Sequence, residues 1–250
     1  MGKVLLTFDD AMKCHYEYVY PELLKRGLWG MFFVPTQPYL EGKLLDVHKI
    51  HLLCGAFNGQ DLFDSISEFI TEDMIQDQKV KEFRQKTYVS QDNYSGVVEF
   101  NRLLNYFINY SYRESLIDMI AKKFNYEFSH SNFYIQEDDL MEMSSNQMII
   151  GSHTVTHPVM SKISRKEQSI QIIDSFKYLS ELGVLKTKVY CHPFGGFHSF
   201  NKATLNILKQ ENVEFAFNVE SREISPDDIS SSRYHLPRFD CNEFEFGQAS

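Results

Sequence analysis

Two adjacent acids, Asp9-Asp10, and two histidines four positions apart, His153 and His157, are the residues of this sequence best suited to chemistry. One carboxylate and two imidazoles can ligate a divalent ion and still leave positions open for water and substrate. Histidines at i and i+4 share one face if their segment is helical, within reach of a single ion. The plainer alternatives are a structurally satisfied histidine pair and, for the acids, a turn that caps the next helix. A third stretch, His192-Pro193-Phe194-Gly195-Gly196, is either a simple tight turn or one whose glycines open the backbone to a substrate.

These residues need strands to carry them to a common edge. The stretch 4–10, three of whose first four residues are aliphatic, predicts a short buried parallel strand ending in the acids, at the edge where α/β enzymes gather their chemistry. A helix over 18–26 closed by Gly27 and a strand over 30–35 follow, which implies a right-handed parallel crossover. A strand over 148–152 runs directly into the histidine pair. Beyond it the pattern predicts a helix over 165–182 closed by Gly183, a strand over 188–191, a helix over 201–210, a strand over 214–219 and a last extended stretch over 234–239. Between these blocks, about 41–136 reads as helical, with apolar helix spacing over 62–69, 71–86, 97–110 and 113–124. The expectation is a single barrel-like α/β domain over 1–250, carrying that helical insertion on one loop as a lid, substrate wall, surface elaboration or oligomer contact. Arg84, Arg102 and Arg113 within the insertion are either contacts for an anionic group or ordinary solvated charges.

A net charge of −9 without a dense Lys/Arg block argues against a nucleic-acid partner, and no apolar run approaches membrane-spanning length. Cys14, Cys54, Cys191 and Cys241 show no CxxC or framework spacing and read as reduced thiols. Only Met1-Gly2-Lys3 precede the first strand, so the expected location is the cytoplasm.

Taken in order, Thr7-Phe8-Asp9-Asp10, Ser152-His153-Thr154-Val155-Thr156-His157 and His192-Pro193-Phe194-Gly195-Gly196 resemble the motifs of the polysaccharide deacetylase family, also called the NodB-homology or carbohydrate esterase 4 family. The resemblance is close to about Tyr39, lapses through the insertion and returns near Glu137. It implies a distorted (β/α) barrel. It also implies Asp10, His153 and His157 as ligands of one divalent metal ion, zinc first, with Asp9 as the general base. Phe194 would offer a backbone oxyanion donor, next to Gly195.

Two positions depart from the family. Where relatives carry an arginine paired with the base, this chain has Cys191. Where the best-known members end in Leu-x-x-His, it has Leu236-Pro237-Arg238, which resembles a branch of the family with Leu-Pro-Arg at this point. Arg238 is therefore expected to replace the missing partner of Asp9. His192 is expected to donate the proton to the leaving amine, with His235 structural and His15 near enough to line the site. The implied activity is a metal-dependent hydrolase removing an N-acetyl or N-formyl group from an amino sugar or glycan precursor, in surface polysaccharide or O-antigen assembly. Two alternatives stand beside it: hydrolysis of a non-sugar amide, and a degenerate barrel that only binds carbohydrate.

Overall fold

The computed structural model describes residues 4–75, 95–245 and 247. The chain divides into two compact units, Met1–Lys43 with His130–Ser250, and Leu44–Ser129. In the first unit, β1 (Thr7–Asp9), β2 (Met31–Val34), β3 (Ile149–Ser152), β4 (Val189–Cys191) and β5 (Phe215–Phe217) form one parallel sheet in sequence order. The register aligns Asp9 with Phe33, Val34 with Ser152 and Cys191 with Phe217, so the strands carrying the candidate motifs end along one edge.

Strand alternation sorts the core into two faces. Met31, Phe33, Val189, Cys191, Phe217 and Leu236 pack together on one. Phe32, Val34 and Ile150 pack on the other against Leu140, Met143 and Leu179, while Tyr190 and Ala216 join Ile172, Phe176 and Ile207. Each fully buried aliphatic or phenyl side chain in these clusters contributes roughly 1.5–3 kcal/mol. Gly151 has no room for a side chain, because a Cβ there would lie 2.7 Å from Val189 and 2.8 Å from the Phe33 ring.

After β5, Leu236 makes a parallel bridge with Phe217. Two residues later the Arg238 guanidinium donates to Thr7 Oγ1 (3.0 Å) and to Asp9 on β1. The curled sheet is thus joined across its open side by a side chain rather than by a backbone ladder, which makes it a distorted barrel. The sequence predicts a short buried strand within 4–10, ending in the acids. Here β1 pairs with β2 alone and is half-buried, and Val4 before it is 87% exposed. The helix expected over 18–26 is a wide turn, His15–Val19, followed by a helix over Tyr20–Lys25.

The second unit is helical, as its apolar spacing predicts. Helices Asp46–Ala56, Gly59–Ser67, Ser95–Arg102 and Tyr110–Lys123 enclose Ile50, Leu53, Leu62, Ile66, Phe100, Leu104, Ile117 and Ile120. The first of these was not legible as an apolar stripe because its buried side includes His48 and Lys49. Of the helix expected over 71–86, residues 76–86 lie outside the described residues, and with them Arg84. Arg113 is buried, bonded to Asp46 Oδ2 at 2.9 Å and stacked 4.2 Å over Tyr110, so it is an internal ion pair rather than an exposed anion contact. Arg102 lies 3.6 Å from Glu99.

Candidate metal centre

The spacing of the two histidines does not come from a helix face. β3 stops at Ser152, and the chain enters a loop in which Thr154 and His157 adopt left-handed φ angles of 70° and 53°. Such backbone costs of order 1–3 kcal/mol per residue and persists where surrounding bonds over-determine it. They do so here. Thr154 N–H donates to Ser152 Oγ (3.2 Å) and His157 N–H to Thr154 Oγ1 (3.0 Å). The Val155 and Thr156 N–H groups both donate to Gln171 Oε1 (3.0 and 2.8 Å), and Gln171 Nε2 returns a bond to Thr156 Oγ1 (3.0 Å). Gln171 lies on the helix Arg165–Glu181. Sequence reasoning missed it, since a glutamine on an amphipathic helix reads as solvent-facing. The closely spaced Ser152, Thr154 and Thr156 hydroxyls were the readable part of the signal.

This loop turns both imidazoles toward Asp10. His153 Nε2 and His157 Nε2 lie 3.7 and 3.6 Å from Asp10 Oδ1, too long for hydrogen bonds. Two ligand atoms bound tetrahedrally to one zinc ion at about 2.1 Å stand about 3.4 Å apart, so the observed separations suit a shared cation. His153 Nδ1 lies 2.9 Å from the Cys191 carbonyl oxygen. A carbonyl only accepts, so Nδ1 carries the proton and Nε2 presents its lone pair to the site. Asp10 itself leaves β1 through a left-handed turn, with φ 74° followed by Ala11 at 52°. Regular strand alternation would have sent the two acids to opposite faces.

Asp9 has a different partner. Arg238 forks onto its carboxylate, Nη1 to Oδ1 at 3.0 Å and Nη2 to Oδ2 at 2.8 Å. Burial pushes the Asp9 carboxyl upward, but the charge and bonds of Arg238, with help from His153, hold it below the usual aspartate value. The Cys191 thiol completes the group: Sγ donates to Asp9 Oδ2 (3.4 Å) and accepts from Arg238 Nη2 (3.0 Å). The cysteine that cannot ion-pair with the base is therefore still in contact with it. Burial, and then the neighbouring carboxylates working against Arg238, raise the thiol well above its ordinary range, so it is protonated.

The turn after β4 behaves differently from expectation. Phe194 (φ 65°) packs its ring 4.8 Å from His157. The Gly195 N–H donates to the His192 carbonyl (3.2 Å), and a Cβ on Gly195 would lie 2.4 Å from Val219 Cγ2. Gly195 therefore admits Val219 and does not open the turn to substrate. His192 is 1% exposed; its Nε2–H donates to the Tyr234 carbonyl (2.8 Å) and its ring stacks 3.9 Å from Phe200. Burial pulls its pKa down to about 3, against a weaker opposing push from that carbonyl. A neutral ring whose one N–H is already committed does not suit the proton donor expected at this position. His235 packs beside Phe197 and Phe200, in keeping with a structural role. His15 lies against Phe8, its pKa lowered by burial despite the pull of Asp10 and Asp9.

The polysaccharide deacetylase family model matches residues 109–219, which include both histidines and the Pro-Phe-Gly-Gly turn. The fold is similar to that of the deacetylase PplD of Streptococcus pyogenes, solved in complex with acetate. That comparison has a TM-score of 0.54 and 17% identity, and covers 94% of this chain and 63% of the other. IcaB from Ammonifex degensii is similar at a TM-score of 0.52 and 17% identity, over 96% of this chain and 68% of that one. Residues 109–219 thus match the polysaccharide deacetylase family, and the fold around them is shared with solved deacetylases. The chain spans less than two thirds of the length of PplD, and no curated protein matches it. The residues matched to the family stop short of Arg238 and begin after Asp9 and Asp10, so the pairing of Arg238 with Asp9 is seen only in the fold.

Proposed function

We propose that this chain is a metal-dependent hydrolase that removes an N-acetyl or N-formyl group from an amino sugar or glycan precursor. The observation that carries the reading is the division of labour between two adjacent acids. Asp10 faces two imidazoles, whereas Asp9 is held off them on a guanidinium and a thiol. Asp10, His153 and His157 are the ligands in this reading, and zinc suits two nitrogens and one carboxylate with positions left open. An ion held there supplies Lewis acidity and a water acidic near neutral pH.

The chain's own residues do the rest. Asp9 accepts the proton of the attacking water through Oδ1, which keeps a lone pair beyond the one Arg238 occupies, whereas Oδ2 accepts from both Arg238 and the Cys191 thiol. Arg238 fixes the rotamer of that base and keeps it ionised. The backbone N–H of Phe194 is the candidate donor to the developing oxyanion; that of Gly195 is already spent on His192. His192 is retained only as a packing and orienting group. The finer reading, an intermediate of surface polysaccharide such as O-antigen handled in the cytoplasm, draws support from the four free thiols.

Elemental analysis of the purified protein beside His153→Ala tests the centre, and acetate release from N-acetylglucosamine oligomers tests the reaction, with Asp9→Asn as comparison. Near-stoichiometric metal lost in His153→Ala, and hydrolysis reduced about 10²–10⁴-fold in an Asp9→Asn protein that keeps its metal, are expected. A wild type that takes up no divalent metal refutes the proposal.

A further inference from the structure

Two sets of three ligand atoms overlap at this site. Asp10, His153 and His157 form one, and Asp9, His153 and Cys191 form the other, each with its atoms within 4.8 Å of one another. They share one imidazole. His153 Nδ1 is committed to the Cys191 carbonyl, so only Nε2 is left to ligate and the two sets cannot each hold an ion at the same time. The second set contains a thiol, and thiolates favour soft and borderline ions such as zinc, cobalt and cadmium over hard ones. On ligand chemistry alone it competes for the ion.

What stands in the second set is Arg238. Its Nη2 lies 2.8 Å from Asp9 Oδ2 and 3.0 Å from Cys191 Sγ, so two of the three ligand atoms already surround a positive group. The side chain is anchored from the other side by Nη1 on Thr7 Oγ1 and Asp9 Oδ1, both at 3.0 Å. Building on the reading that Asp10, His153 and His157 hold the catalytic ion, we infer that Arg238 is the cation of a second, thiol-containing metal site. By occupying that site it excludes thiophilic ions from Asp9, His153 and Cys191, and it leaves Asp9 free of metal and able to act as a base. Removing the guanidinium converts these residues into a competing site. An ion entering there displaces the Cys191 thiol proton to solvent and forms a metal–thiolate bond, with no change of oxidation state.

Cobalt(II) reports directly on this, because a cobalt–thiolate bond has a charge-transfer band in the near ultraviolet that carboxylate and imidazole ligands lack. Wild type, Arg238→Met, Arg238→Gln and the double variant Arg238→Met/Cys191→Ser are each loaded with cobalt, and the spectrum is recorded with the metal content. Wild type is expected to bind cobalt without the band. Either single variant that remains folded is expected to show it, and the double variant to lose it. Cobalt bound by a folded Arg238 variant without a thiolate band overturns the inference while leaving the centre on Asp10 intact. A thiolate band in the wild type overturns it as well, and that arm needs no variant to fold. Failure of the wild type to bind cobalt at all refutes the metal centre itself, and the inference falls with it.

Discussion

Replacing His192 with glutamine gives the sharpest energetic test of the site's geometry. The folded protein keeps this imidazole neutral, with a pKa pulled down to about 3 by burial between Tyr190 and Phe200. Once unfolded, it titrates near 6.5. Between those values the unfolded chain binds a proton that the folded chain refuses, so acidification favours unfolding. The stabilising contribution is therefore fully present above pH 6.5 and is lost as pH falls from there toward 3. At about 1.36 kcal/mol per pH unit, the loss between pH 8 and pH 5 is about 2 kcal/mol from this group alone. Other titrating groups add slopes of their own, and comparison with His192→Gln cancels them. Glutamine has no titration in this range and can still donate to the Tyr234 carbonyl through its amide. Urea unfolding of both proteins at pH 8, 7, 6 and 5, in matched buffers, should show wild type losing about 2 kcal/mol more than the variant. Parallel pH profiles would mean that His192 titrates normally in the fold. The proton-donor role set aside above would then be restored.

Two further expectations concern the loops. Gly195→Ala combines a left-handed φ of 61° with a Cβ that would lie 2.4 Å from Val219, so it should destabilise the protein by more than about 1 kcal/mol in urea unfolding. Adding Val219→Ala should recover only the steric part; full recovery would show that the backbone is unstrained. Gln171→Leu removes the shared acceptor of two loop N–H groups and should weaken metal binding about 10–100-fold, as measured by competition with a chromophoric chelator. Gln171→Glu keeps that acceptor and should recover most of the affinity; loss of affinity equal to that of Gln171→Leu would refute the role assigned to the side chain.

Much of the barrel unit was legible because short parallel strands leave a simple trace: an aliphatic run bounded by glycine or proline, such as Gly30 to Pro35, or a run that stops at a polar motif, such as Ile149 to Ser152. The helical stretches of the insertion were legible where one face was uniformly apolar and illegible over Asp46–Ala56, where the buried face carries His48 and Lys49. At the site, residue types carried further than spacing did. The interval between His153 and His157 suggested a helix. The structure achieves the same convergence with two left-handed residues, whose cost is offset by hydroxyls and a glutamine on a different element. No local pattern encodes Gln171 as their support, because its role exists only once helix and loop are packed.

Strand parity separates His192 from Cys191. β4 runs parallel to β5 with Val189 opposite Phe215 and Cys191 opposite Phe217, and those side chains fill the inner face of the curled sheet. Tyr190 and then His192 turn to the other face, toward Phe200 and the helices. A one-residue step along a strand exchanges the two faces. The position where relatives carry their arginine is thus aimed at Asp9 whatever residue occupies it, and the next position is aimed away from it. A thiol at the first of these cannot neutralise the acid, so the charge must arrive from another direction. It comes from Arg238, which reaches β1 from the chain beyond β5 and spans the open side of the sheet. Cys191 and Arg238 therefore serve one acid from two elements: the thiol touches it from β4, and the guanidinium that neutralises it arrives from the chain beyond β5.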